Sequence, residues 1–185
     1  MRSLEAVQIL RERLGDALVV SSLGTPSYLI HTAGDRPLNF YLWAAMGMAS
    51  STGLGLAMAR PDRRVVVVDG DGAAVMNLNG MVTVAARGPS NLLWVILENG
   101  AFLETGGQPI ATHGPADLVA IAQGCGIQRA ARAADPDTLA QLLDEGLAQP
   151  GPTLVVARVD RDTVKLLPPV DPVRVKHRFM DALGT

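Results

Sequence analysis

Residues 65–72 read Val-Val-Val-Val-Asp-Gly-Asp-Gly, and this stretch decides the fold. Four β-branched residues in a row cannot alternate between a wet and a dry face. A strand over 65–68 is therefore expected to be covered on both sides, as in a parallel sheet. The acid–glycine run falls at that strand's carboxyl end. Glycines on either side of Asp71 let the chain turn sharply and bring backbone N–H groups close to a ligand. A helix beginning near Ala73 would aim its positive end at the same place, which favours phosphate. Asp71 adds a carboxylate suited to a hard divalent cation.

Working outward, a second turn, Glu98-Asn99-Gly100, follows the apolar strand expected over 92–97. Asp71 and Asn99 lie 28 positions apart, enough for a helix through Ala86 and a return strand that brings Asn99 beside Asp71. One carboxylate, one amide oxygen, a backbone carbonyl, two phosphate oxygens and a water would make an octahedral Mg²⁺ site. Taken singly, GDG is most often a surface turn and NG is simply a turn. Their joint position, each after a buried strand, favours the metal–diphosphate reading.

The flanking sequence alternates between helical and strand character. Helices are expected over 4–14, 46–59, 116–123, 136–147 and 172–182, and further strands over 17–21, 127–131 and 153–159, with a turn at Gly24-Thr25-Pro26 and a glycine-rich loop over 99–115. This pattern predicts an α/β fold, a parallel sheet with helices on both faces, whose ligands sit beyond the carboxyl ends of the strands. The chain reads as one domain over 1–185, with a more polar tail over 160–185. Residues 37–59 carry no formal charge, which raises a membrane helix as a reading. Pro37, Asn39, the run Ser50-Ser51-Thr52 and a strand that follows almost at once favour a buried helix, whose small residues admit other backbone.

Composition narrows the function. Of 185 residues 48% are hydrophobic and 18% charged, enough apolar material for a full core and too much for disorder. Sixteen basic and 18 acidic residues give a net charge of −2 with no block of either sign, so the basic footprint of a nucleic-acid binder is missing. The single cysteine, Cys125, excludes an intrachain disulfide and an iron–sulfur cluster ligated by this chain alone; it reads as a buried structural thiol in a reducing, cytoplasmic setting. His31, His113 and His177 show no metal spacing. The amino terminus mixes acidic and basic residues and lacks a signal-peptide pattern.

On these motifs the sequence resembles the thiamine-diphosphate enzymes. GDG, a helix–strand interval and a terminal Asn match that family's cofactor fingerprint. Gly24-Thr25 resembles its diphosphate-contacting turn, and Trp43-Ala44-Ala45-Met46-Gly47 resembles the segment that holds the aminopyrimidine. The sequence is most similar to the sulfopyruvate and phosphonopyruvate decarboxylases. That similarity is carried by GDGAAVMNLNGMVTVAARGPSNLLWVILENGAF (70–102), ETGGQP (104–109) and NFYLWAAMGMASSTGLGLA (39–57). Glu98 departs from the family's usual Asp or Asn, and the AAMG segment from its Gly-Ser/Asn-Met-Gly.

The resemblance spans the chain but only half of a complete enzyme, the diphosphate-binding (PP) domain with its thiamine-diphosphate-binding fold. It implies thiamine diphosphate and Mg²⁺ as cofactors, with Asp71, Asn99 and the Ala101 carbonyl as metal ligands. Gly72 and Ala73 N–H groups, with Thr25, would hold the diphosphate. Met46 would force the cofactor into its bent form, and the Ala44 carbonyl would accept from its amino group. Gly24, Gly70 and Phe102 complete the implied contacts. The activating glutamate belongs to the pyrimidine-binding domain, and none of Glu5, Glu12, Glu98, Glu104 and Glu145 stands in a matching context. The implied protein is thus the β subunit of a 2-oxoacid decarboxylase, a hetero-oligomer that needs a pyrimidine-binding α subunit and has no catalytic residue assigned on this chain. Sulfopyruvate, giving sulfoacetaldehyde and CO₂, is the first substrate and phosphonopyruvate the second. Acetolactate-synthase-like carboligation ranks third, and a ferredoxin oxidoreductase subunit is disfavoured by the lone cysteine. A degenerate scaffold of the same fold conflicts with intact Asp71, Asn99 and Thr25. His113 and residues 105–108 lie near the cofactor end or in solvated turns, and Arg174, Lys176 and Arg178 read as a solvated helix face with a subunit contact as the alternative.

Overall fold

The uninterrupted apolar runs become the middle of a six-stranded parallel sheet. A computed structural model describes residues 1–185 apart from Thr163, Lys165 and Thr185, all within the 160–185 tail. In chain order the elements are α1 (Ser3–Arg13), β1 (Leu18–Ser21), α2 (Thr25–Gly34), β2 (Asn39–Tyr41), α3 (Ala49–Ala59), β3 (Val65–Gly70), α4 (Asp71–Met76) and α5 (Asn79–Arg87). There follow β4 (Leu92–Glu98), the short hairpin β5 (Ala101–Phe102) and β6 (Gln108–Pro109), α6 (Leu118–Gly124), β7 (Arg129–Ala133), α7 (Pro136–Ala148), β8 (Thr153–Arg158) and α8 (Pro172–Leu183). The large sheet runs β2-β1-β3-β4-β8-β7. Val65 pairs with Leu92 and Gly70 with Leu97, so β3 and β4 end side by side.

Both faces of the sheet are covered, as 65–68 required. Val66, Val68, Leu93, Val95 and Leu97 pack toward Val7 and Leu10 of α1, Leu29 and Ile30 of α2 and Leu139 and Leu143 of α7. Val65, Val67, Leu92, Trp94 and Ile96 face the other way, toward α3, α5, α6 and Phe179 of α8. Burial of each such side chain contributes about 1.5–3 kcal/mol. The helix expected to be buried, α3, buries one face (Ala49, Ser50, Gly53, Leu54 and Ala57) and leaves Ser51, Gly55 and Met58 exposed; a Cβ at Gly53 would fall 2.1 Å from Val67 Cγ2, so only glycine lets that face lie this close to β3. Among the described residues no helix is long and apolar enough to cross a membrane.

Four expectations need correction. α3 begins at Ala49, and residues 46–48 belong to the preceding loop, where Ala45 holds φ +62. Residues 25–41 form α2 and β2 rather than a turn alone; Pro26 in the first turn of α2 was the overlooked helix signal. The single helix expected through Ala86 is two, because Asn77 leaves helical geometry (φ −132, ψ 50) and gives its amide to the Gly47 carbonyl at 2.7 Å. Finally, Arg178 is no solvated residue. It pairs with Asp35 and donates to the Asn39 carbonyl, which pins α8 to the β2 edge, and Trp43 Nε1 donates to the Pro169 carbonyl at 2.9 Å. Pro169, Arg178 and Phe179 thus reach back to Trp43 and the β2 edge.

Candidate functional site

A cleft opens beyond the carboxyl ends of β1, β3 and β4, where a doubly covered parallel sheet places its ligands. It is lined by Thr25, Met46, Gly70, Asp71, Gly72, Ala73, Asn99, Ala101 and Phe102, nine of the residues singled out from sequence. Gly24 and Ala44 do not line it. Gly24 instead caps α2 at φ +75, where a Cβ would meet Glu104 Cγ at 2.9 Å.

The Asp69-Gly70-Asp71-Gly72 turn is built differently from the sharp glycine turn expected. β3 continues through Gly70 and α4 starts at Asp71, two residues before Ala73. Neither Gly70 nor Gly72 has a positive φ. Gly72 is needed for approach, since a Cβ there would lie 2.5 Å from the Phe102 ring. The left-handed glycine is Gly100, at φ +71 in the partner turn.

Asp71 is buried and is held from three sides. Its Oδ1 accepts the Gly72 N–H at 3.0 Å, and its Oδ2 accepts the Gly100 N–H and the Thr112 hydroxyl, each at 2.9 Å. Burial pushes its carboxyl up, while these donors pull the other way. Asn99 stands alongside, its Oδ1 accepting the Ala101 N–H at 2.8 Å, which folds the turn back on itself. The Gly72 N–H expected to face a phosphate is thus given to Asp71. Asp71, Asn99 and Ala101 line one cleft and offer a carboxylate, an amide oxygen and a backbone carbonyl. All are hard oxygens carrying a single charge, which fits a divalent cation shared with an anionic ligand. Among the described residues no cluster of three His, Cys, Asp or Glu offers a rival site.

Several residues at the site carry no cofactor motif in the sequence. Of the five glutamates, Glu104 lines the cleft among the described residues, taking a hydrogen bond from the Thr25 hydroxyl at 3.2 Å and from the Tyr28 hydroxyl at 3.4 Å. Ser22, Leu23 and Pro26 line it too, and their adjacency to Gly24-Thr25 was the available signal. Arg161, beyond β8, donates to the Asn99 carbonyl at 3.3 Å and the Gly100 carbonyl at 3.4 Å. Nothing local in the sequence announced it. Residues 105–108 close the β5–β6 hairpin, with Thr105 Oγ1 bonded to Gln108 Oε1 at 2.8 Å, and Thr105 also lines the cleft. The His113 ring packs on Gly100, where a Cβ would come within 2.4 Å of it. Cys125 is half-buried at the end of α6.

Residues 23–157 match the family described as thiamine pyrophosphate enzyme, C-terminal TPP binding domain. The chain is 40% identical over 174 residues to a phosphonopyruvate decarboxylase of Streptomyces viridochromogenes, covering 93% of this chain but 43% of that protein. It is 33% identical over 182 residues to the sulfopyruvate decarboxylase subunit beta of Methanococcus maripaludis, covering 97% of this chain and 96% of that one. The chain therefore spans less than half the length of the first relative and nearly all of the second. Benzoylformate decarboxylase from Polynucleobacter necessarius shares the fold, with a TM-score of 0.75 over 90% of this chain and 34% of that one, at 18% identity.

Proposed function

The chain belongs to the thiamine pyrophosphate enzyme family, through its C-terminal TPP-binding domain, and on that premise we propose that it is the diphosphate-binding β subunit of a thiamine diphosphate- and Mg²⁺-dependent 2-oxoacid decarboxylase. The observation that carries this reading is that Asp71, Asn99 and Ala101 line one cleft, with the Asp71 carboxylate fixed by the Gly100 N–H. Asp71, Asn99 and the Ala101 carbonyl would hold Mg²⁺, and the metal with the Ala73 N–H would hold the diphosphate, joined by the Thr25 hydroxyl when it turns from Glu104. Met46, in the cleft wall, would support the bent cofactor, and the carbonyl of Ala44, two residues earlier and outside that lining, would accept from the cofactor's amino group. When bound, thiamine diphosphate supplies a carbon nucleophile and an electron sink for the charge left as CO₂ departs.

Sulfopyruvate is the first substrate, because the match to a sulfopyruvate decarboxylase β subunit runs almost end to end. Phosphonopyruvate is the second reading, favoured by the higher identity to a phosphonopyruvate decarboxylase. The activating glutamate is assigned to a pyrimidine-binding α subunit, so the chain alone is catalytically incomplete and the working form is a cytoplasmic hetero-oligomer. Glu98 is engaged with arginines and Glu104 with Thr25 and Tyr28, which supports that assignment. Mixing the purified chain with thiamine diphosphate, Mg²⁺ and either oxoacid is expected to give no CO₂, and adding the partner to restore it. Robust turnover by the lone chain would sink the subunit reading, and the faster of the two acids names the substrate.

A further inference from the structure

The segment from Ile110 to His113 packs against Gly100 and reaches Asp71. The Ile110 N–H donates to the Gly100 carbonyl at 3.0 Å, the His113 ring rests on Gly100, and Thr112, 4% exposed, donates its hydroxyl to Asp71 Oδ2 at 2.9 Å. A carboxylate offers roughly four acceptor positions. The Gly100 N–H and the Thr112 hydroxyl fill both on Oδ2, and the Gly72 N–H takes one on Oδ1. The remaining acceptor position is on Oδ1. We infer that Thr112 is a positioning residue for metal binding: its hydroxyl saturates Oδ2 and fixes the Asp71 carboxylate so that a divalent cation is taken by Oδ1 alone. The inference rests on the cofactor reading above and adds to it a residue 41 positions away in sequence.

Removing the hydroxyl while keeping the shape frees one Oδ2 position and one rotation of the carboxylate. Loss of such an outer partner typically costs 10–100-fold in metal affinity. The test uses the complex assembled with the pyrimidine-binding partner, at saturating thiamine diphosphate, with Mn²⁺ as the probe and its free-ion electron paramagnetic resonance signal as the readout. Thr112→Val is expected to raise the half-saturating Mn²⁺ at least about tenfold, while Thr112→Ser stays close to wild type. At saturating Mn²⁺ the cofactor affinity of Thr112→Val should return near the wild-type value, which a general loosening of the fold would not allow. Thr112→Ala guards against misfolding of the valine variant. A hydroxyl role makes Ala and Val alike, whereas a packing role impairs Ala and spares Val. Unchanged Mn²⁺ binding in Thr112→Val, or a serine variant as weak as the valine one, would overturn the assignment of Thr112 and leave the cofactor reading standing. Failure of the wild-type complex to bind Mn²⁺ would overturn both.

Discussion

Two neighbouring strands end alike on paper and are held differently in space. β3 ends in Asp69-Gly70 and passes to Asp71, and β4 ends in Glu98 before Asn99-Gly100. Asp69 and Glu98 are both 0% exposed. Glu98 is answered by Arg132 from β7 at 3.1 Å and Arg158 from β8 at 3.8 Å, and Arg132 also reaches Asp117. Asp69 takes the Gly70 N–H, and among the described residues it has no arginine or lysine in ion-pair range; burial pushes its carboxyl up to about 7. One turn is therefore anchored by charge, through strands far away in sequence, and the other by backbone amides and a hydroxyl. The difference separates two strand-end acids held for the fold from Asp71, the proposed metal ligand. Of these three acids, Asp71 lines the cleft.

The largest expected effect strikes that acid. Asp71→Ala in the assembled complex should weaken metal-supported binding of thiamine diphosphate by more than about 100-fold, beyond the range seen for outer partners. Calorimetry checks it, and binding as tight as wild type would mean the metal is held elsewhere. Next comes the charge anchor. Arg132→Met leaves Glu98 buried with one distant cation and should cost about 3 kcal/mol in urea unfolding. Asp69→Asn keeps an acceptor for the Gly70 N–H and removes a charge that burial already disfavours, so it should cost under about 1 kcal/mol. Equal losses in the two variants would erase the distinction between the turns.

The glycines sharpen it further. Gly100→Ala meets both a left-handed backbone and the His113 ring and should destabilise by about 2 kcal/mol. Gly70→Ala has φ −97 and its nearest obstacle, Pro26 Cγ, at 3.6 Å, so it should fall within about 1 kcal/mol of wild type. The smallest effect lies away from both turns. Burial opposes ionisation of Asp35, but Arg178 and Tyr41 outweigh it and hold its carboxyl below the usual carboxylate range. Its ionised form thus supports the fold above the ordinary value of 3.8, and that support fades as pH falls through the lowered value. Asp35→Asn should flatten this part of the acid-side slope, read as urea midpoint against pH; an unchanged slope would place the acid sensitivity in other groups.

The β-branched run at 65–68 made the sheet legible from sequence, because a strand with no polar face has one way to be satisfied. The Asp71–Asn99 pair was legible for a related reason: both residues stand at the carboxyl ends of adjacent parallel strands, and a shared register brings them together. What escaped reading was held by long-range side-chain contacts. Thr112 reaches Asp71, Arg161 reaches the Asn99 carbonyl and Arg178 reaches Asp35 without any periodic pattern to announce them. The break between α4 and α5 escaped for the same reason, since the Asn77 amide leaves the helix to satisfy Gly47 across the cleft loop. Glu104 was set aside as a glutamate in the wrong context, yet the β5–β6 hairpin carries it to Thr25.

The central claim is that this chain supplies the metal-bridged diphosphate site of a two-part enzyme. It is tested most directly by titrating thiamine diphosphate into the assembled complex by calorimetry, once with Mg²⁺ and once with the metal removed by chelator. Tight binding that appears with Mg²⁺ and is lost without it is the predicted result. An affinity indifferent to Mg²⁺ would contradict the claim.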